Sequence, residues 1–143
     1  MRKWLVVAIA IAVVAVAGYF AMHMFPPPPA DLDLARSKPS AAGTYVVSIE
    51  PEADPIPQGR LHSWIATVKR PEGAAVTDAM LTIDGGMPQH GHGLPTAPQA
   101  TEHLGEGRYR VEGVRFNMNG WWELRLTIDS SAGQDAVTFN IVL

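Results

Sequence analysis

The chemistry-bearing side chains of this sequence gather in Gly85-Gly86-Met87-Pro88-Gln89-His90-Gly91-His92-Gly93-Leu94-Pro95-Thr96. One thioether and two imidazoles fall between positions 87 and 92, with glycines between and after the histidines. In extended backbone, residues two apart point to the same side with α-carbons about 6.5 to 7 Å apart, so His90 and His92 can converge on one ion. Met87 would add a soft ligand, and Met with His in the absence of Cys suits Cu(I) better than zinc or a hard cation. The chain has no cysteine at all, which excludes disulfides, thiolate metal sites, Cys nucleophiles and iron-sulfur clusters. The competing reading is a glycine-rich loop whose histidines are simply exposed.

Two other residues could complete such a site. His62 opens Leu61-His62-Ser63-Trp64-Ile65-Ala66-Thr67-Val68 and shares parity with Trp64, Ala66 and Val68, so it faces inward or lies at a rim. Its alternative role is a buried histidine bonded to backbone. Met118 shares parity with Phe116 and Val114, which equally fits a core filler. His103 stands apart in Thr101-Glu102-His103-Leu104 and reads as exposed, and His23 closes the N-terminal apolar segment, where snorkelling explains it. No nucleophile elbow, zinc-protease helix motif, phosphate loop or dinucleotide fingerprint occurs, and the carboxylates are scattered. The chain is not expected to be an enzyme. Trp121-Trp122 falls short of a sugar platform, because alternation sends Trp122 inward and only Trp121 outward.

The elements that must position these residues are strands. From Gly43 onward the apolar pattern has period two: Tyr45, Val47 and Ile49; Leu81 and Ile83; Tyr109 and Val111; Val114, Phe116 and Met118; Trp122, Leu124, Leu126 and Ile128; Val137, Phe139, Ile141 and Leu143. Turn signals separate them, including Pro71-Glu72-Gly73, Gly85-Gly86, Gly105-Glu106-Gly107 and Asn119-Gly120. This predicts an all-β fold, an antiparallel immunoglobulin-like β-sandwich of six to seven strands. With no cysteine, its core must rest on apolar packing.

The N-terminus is of another kind. Arg2 and Lys3 precede an unbroken apolar run from Trp4 to Met22, long enough to cross a bilayer core of roughly 30 Å as a single transmembrane helix. Ala15-Val16-Ala17 also offers a cleavage site before Gly18, so the segment reads either as a signal peptide or as a retained anchor. Retention is preferred, with the N-terminus cytoplasmic. Pro26-Pro27-Pro28-Pro29 then favours a stiff polyproline II spacer, which has a purpose only beside an anchor. The expected organisation is an anchor at 1–25, a stalk at 26–42 and a β-domain at 43–143. The whole-chain charge of −3 becomes −5 once Arg2 and Lys3 are set aside, which disfavours nucleic-acid binding.

These residues resemble the FixH-like and YtkA-like proteins, small membrane-anchored or exported immunoglobulin-like domains of bacteria. The resemblance spans residues 43–143 and is carried by Gly85-Gly86-Met87-Pro88-Gln89-His90-Gly91-His92-Gly93, Gly107-Arg108-Tyr109 and Phe116-Asn117-Met118-Asn119-Gly120-Trp121-Trp122-Glu123-Leu124. Leu61-His62-Ser63-Trp64 and Asp78-Ala79 also fit. It implies Met87, His90 and His92 as copper ligands with His62 and Met118 as neighbours. It further implies a periplasmic domain on the bacterial inner membrane that serves a membrane-bound copper enzyme or assembly factor, in the manner of cytochrome oxidase maturation. The alternative is a metal-free protein-interaction module.

Overall fold

The computed structural model describes residues 2–24 and 27–143, and within the first segment the side chains of residues 4 and 6–20. Phe25, Pro26 and the side chains of Arg2, Lys3, Met22, His23 and Met24 therefore lie outside the described residues, and with them the expected role of His23. The N-terminal apolar run forms one helix, α1 (Arg2–Met24), 23 residues long, whose described side chains are exposed along its length. Among the described residues no helix is long and apolar enough to cross a membrane.

Beyond it the chain is antiparallel β-structure. Among the described residues nine strands follow in order: β1 (Ser37–Pro39), β2 (Val46–Pro51), β3 (His62–Lys69), β4 (Met80–Met87), β5 (His92–Gly93), β6 (Gln99–Gly105), β7 (Arg108–Val114), β8 (Trp121–Ser130) and β9 (Gly133–Val142). They pair in one sheet in the order β1-β2-β3-β7-β6-β4-β8-β9, with β5 added to β4 as a short hairpin. Between β6 and β4 the ladder narrows to the single pair Thr82 and Gln99. The two ends of the sheet almost meet. The Ala41 N–H donates to the Ala136 carbonyl at 2.8 Å, and the Asp135 carboxylate accepts from the Ser40 hydroxyl and the backbone N–H groups of Ala42 and Thr44.

The enclosed core is most of the alternating set read from the sequence, with Leu81, Met118 and Leu143 only half-buried against it. Tyr45, Val47, Ile49, Trp64, Ala66, Val68, Tyr109, Val111, Trp122, Leu124, Leu126, Ile128, Val137, Phe139 and Ile141 are all buried, while their neighbours in each strand reach outward. Apolar burial at about 25 cal/mol per Å² is what holds such a cysteine-free sheet closed.

Three of the nine strands fall outside the expected set. β6 (Gln99–Gly105) alternates no apolar residues and has little buried face, β1 (Ser37–Pro39) ends on a proline at a sheet edge, and β5 spans two residues. None leaves a period-two signature. Because β1 pairs with β2 and Ser40 is buried in the seam, folded structure begins before residue 43, and the end of the expected stalk is part of the sheet. Phe116 and Met118, expected in a strand of their own, lie in the β7–β8 connection, where Phe116 forms an isolated parallel bridge with Gln58.

Antiparallel pairing brings the start of β3, the end of β7, the end of β4 and the start of β8 to the same end of the domain. His62, Met118, Met87 and the β4–β5 hairpin all belong to that end.

Candidate functional site

β4 ends in Gly85-Gly86-Met87, turns through residues 88–91 and returns as His92-Gly93. The turn closes on Met87, whose carbonyl accepts the N–H groups of both His90 and Gly91 at 3.0 Å. Gly91 takes a left-handed φ of 66°, which a glycine adopts without steric cost. Gly86 allows the return strand to lie close: a Cβ there would sit 2.4 Å from the His92 carbonyl oxygen and 2.9 Å from the Gly93 α-carbon. The glycines thus shape the backbone that carries the ligand candidates.

Extended geometry holds for His92 but not for His90, which lies inside the turn. The two rings nevertheless approach, stacked at 28° with centroids 5.9 Å apart. A ring bound through one nitrogen at about 2 Å has its centroid roughly 3.1 Å from the ion, so two rings sharing an ion can lie up to about 6.3 Å apart. The pair satisfies that limit. His92 Nδ1–H donates to the Gly93 carbonyl at 3.1 Å, which leaves Nε2 as the basic nitrogen, the tautomer a metal ligand needs.

Met87 is the direct register partner of His92. Opposed residues of an antiparallel pair project to the same face of the sheet, so the thioether and the imidazole share a side. Met87 is only 1 % exposed, and its terminal methyl lies 2.9 Å from where a Cβ on Gly120 would stand. His90 is half-buried and His92 exposed, so the three candidates run from core to surface over one turn of chain. Beside them opens a groove of about 250 Å³, floored by Gly85, Gly86 and Gly93 and edged by Glu123 and Arg125. Arg125 is held there by Asp84 at 2.9 Å and Glu123 at 3.0 Å.

Met118 is half-buried against the core, and its carbonyl accepts the Trp122 indole N–H at 3.0 Å. His62 is 9 % exposed, with Nδ1–H donating to the Arg60 carbonyl at 3.0 Å. Its Nε2 is buried without a hydrogen-bond partner. From His62 the ring contacts run to Phe116 at 5.3 Å, on to Trp122 at 5.2 Å, and from Trp122 to His92 at 5.9 Å. Two buried aromatic rings therefore stand between His62 and the hairpin. The structure places Met87, His90 and His92 on one hairpin, with the two imidazoles stacked, and holds His62 behind Trp122 and Phe116. His103 is exposed on β6, beside Tyr109 at 4.8 Å between ring centroids. Among the described residues no three His, Asp or Glu side chains form a cluster able to hold a metal ion, so an ion at the hairpin would depend on the methionine.

The β7 bulge explains how Val111 and Val114, three residues apart, both face inward. Three β7 residues span the register that two cover on β3, and Gly113, with φ 81°, absorbs the extra residue. Sequence alternation alone does not reveal it.

Comparison with curated proteins and with solved structures finds no match. The YtkA-like family model covers residues 39–127, more than half of the chain, and takes in His62, the β4–β5 hairpin and Met118. The chain belongs to the YtkA-like family.

Proposed function

We propose that this is a membrane-tethered extracytoplasmic domain that binds copper, as Cu(I), through Met87, His90 and His92, and that it holds the ion for a partner or delivers it. The observation that carries this reading is the pairing of Met87 with His92 on one face of a glycine-built hairpin, with the His90 ring 5.9 Å from that of His92. Soft thioether and imidazole donors without thiolate suit Cu(I). Few ligands on an exposed turn also favour release by ligand exchange, in which an incoming donor joins the ion before the last of the protein's donors leaves. Met118, at the same end, is the neighbour from which a further donor would come, while His62 stands apart behind Phe116 and Trp122.

The apolar run behind Arg2 and Lys3 supports a retained anchor in the bacterial inner membrane, with the N-terminus cytoplasmic and the β-domain in the periplasm. Tethering raises the effective concentration of a weak, exchangeable site near membrane-bound partners. A FixH-like role in maturing a respiratory copper enzyme would use that arrangement. The antiparallel sheet, whose two ends almost meet around an apolar core, supports an immunoglobulin-like sandwich as the fold.

Cu(I) titration of the full chain in detergent against a competing chelator tests the reading. Loss of tight binding in the double variant His90→Ala, His92→Ala is expected, and unchanged affinity overturns the assignment. The groove beside the hairpin supports a second reading, a metal-free interaction module. A partner that binds equally with chelator present and with both histidines replaced would establish that instead.

A further inference from the structure

We propose that the hairpin end of the domain faces the membrane to which the chain is tethered, so that its partner receives or supplies metal at the membrane surface. This rests on the tether reading above and names the position of the partner's site.

The path of the chain between α1 and β1 sets the orientation. Pro27 lies three residues after the last residue of α1, and three residues span at most about 11 Å. The side-chain amide of Gln89, in the turn between Met87 and His92, donates to the Pro27 carbonyl at 2.9 Å. The hairpin is thus held close to where the helix ends. Asn140 donates to the Asp33 carbonyl at 2.9 Å, and Asn140 is opposite Glu123 near the start of β8, again at the hairpin end. Arg36 then packs over the Trp64 ring, 4.9 Å from its centroid. From there β1 runs away from that end, and Ser40 reaches Asp135 at the far end of β9. A chain entering along this path brings the hairpin end toward the bilayer.

Exposed apolar side chains are distributed in the same sense. Leu61, beside the start of β3, is 66 % exposed, and Leu34 and Val142 are exposed at the same end. Met80, 74 % exposed, lies at the opposite end, where it pairs with Asp129. An interfacial lipid surface accommodates such residues at the near end. The two ends are separated by the length of β8, ten residues or about 30 Å.

The test uses the natural absence of cysteine. The full chain is reconstituted in phosphatidylcholine and phosphatidylglycerol vesicles that carry a headgroup-attached quencher, and a fluorophore is placed at Leu61→Cys or Met80→Cys. Quenching at position 61 at least threefold stronger than at position 80 is expected. Equal quenching, or stronger quenching at position 80, with protein that floats with the vesicles, overturns the orientation and leaves the tether standing. Protein that does not float with the vesicles overturns both.

Discussion

The exposed ring of His92 meets the fully buried ring of Trp122 edge-on, with centroids 5.9 Å apart and planes at 67°. The hairpin that carries the ligand candidates is therefore in contact with an indole of the core, and a metal ion on the imidazole would lie close to it. Copper is expected to quench tryptophan emission on titration, with more than half of the quenching lost in His92→Ala. Steady-state fluorescence checks this, with Trp122→Phe as the second variant. Quenching that persists unchanged in His92→Ala would place the ion elsewhere.

Met87 has both a packing role and a proposed ligand role, and substitution by shape separates them. Met87→Leu nearly conserves volume and is expected to cost less than about 1.5 kcal/mol of stability. Met87→Ala empties a buried site and is expected to cost about 2 to 5 kcal/mol. If the sulfur binds copper, Met87→Leu lowers Cu(I) affinity at least tenfold while thermal unfolding barely shifts. Full affinity in a stable Met87→Leu protein would confine this residue to packing.

Gly86 gives the hairpin its close approach. A methyl there would meet the His92 carbonyl at 2.4 Å, and the obstacle is backbone, so the strands must part. Gly86→Ala is expected to weaken copper binding at least fivefold by displacing His92 from Met87, with faster amide exchange in the β4–β5 ladder. Amide exchange followed by NMR, alongside the copper titration, checks both effects.

The legible part of this chain is the part in which one face is buried. Trp122, Leu124, Leu126 and Ile128 alternate in sequence because β8 packs one side against the core, and the same logic exposes β2, β3 and β9. β6 stayed hidden because Gln99, Thr101, Glu102 and His103 are exposed, so hydrogen bonding rather than apolar burial defines it. At the site, residue type and spacing picked out Met87, His90 and His92, while their arrangement depends on a turn at residues 88–91 that parity does not describe. The separation of His62 from the hairpin depends on Phe116 and Trp122 standing between them, a long-range relation that no local spacing encodes.

Asp135 closes the seam between the two ends of the sheet, and its ionisation should set the acid limit of the fold. Its carboxylate accepts the Ser40 hydroxyl at 2.6 Å and the N–H groups of Ala42, Thr44 and Ala136. The Ser40 bond foremost, then those backbone donors, outweigh the effect of burial and hold the carboxyl well below the usual carboxylate range. A depressed folded value means that the unfolded chain takes up the proton first. The stabilisation is therefore fully present above the unfolded value of about 4 and lost as pH falls below it toward the folded value. Asp135→Asn keeps the shape but replaces an acceptor with a donor facing the Ser40 and Ala42 groups, and is expected to cost about 2 to 3 kcal/mol at neutral pH. Thermal unfolding between pH 2 and 7 checks both points. The melting temperature of the natural chain should fall more steeply below pH 4 than that of Asp135→Asn, and parallel curves would show that the seam does not depend on this charge.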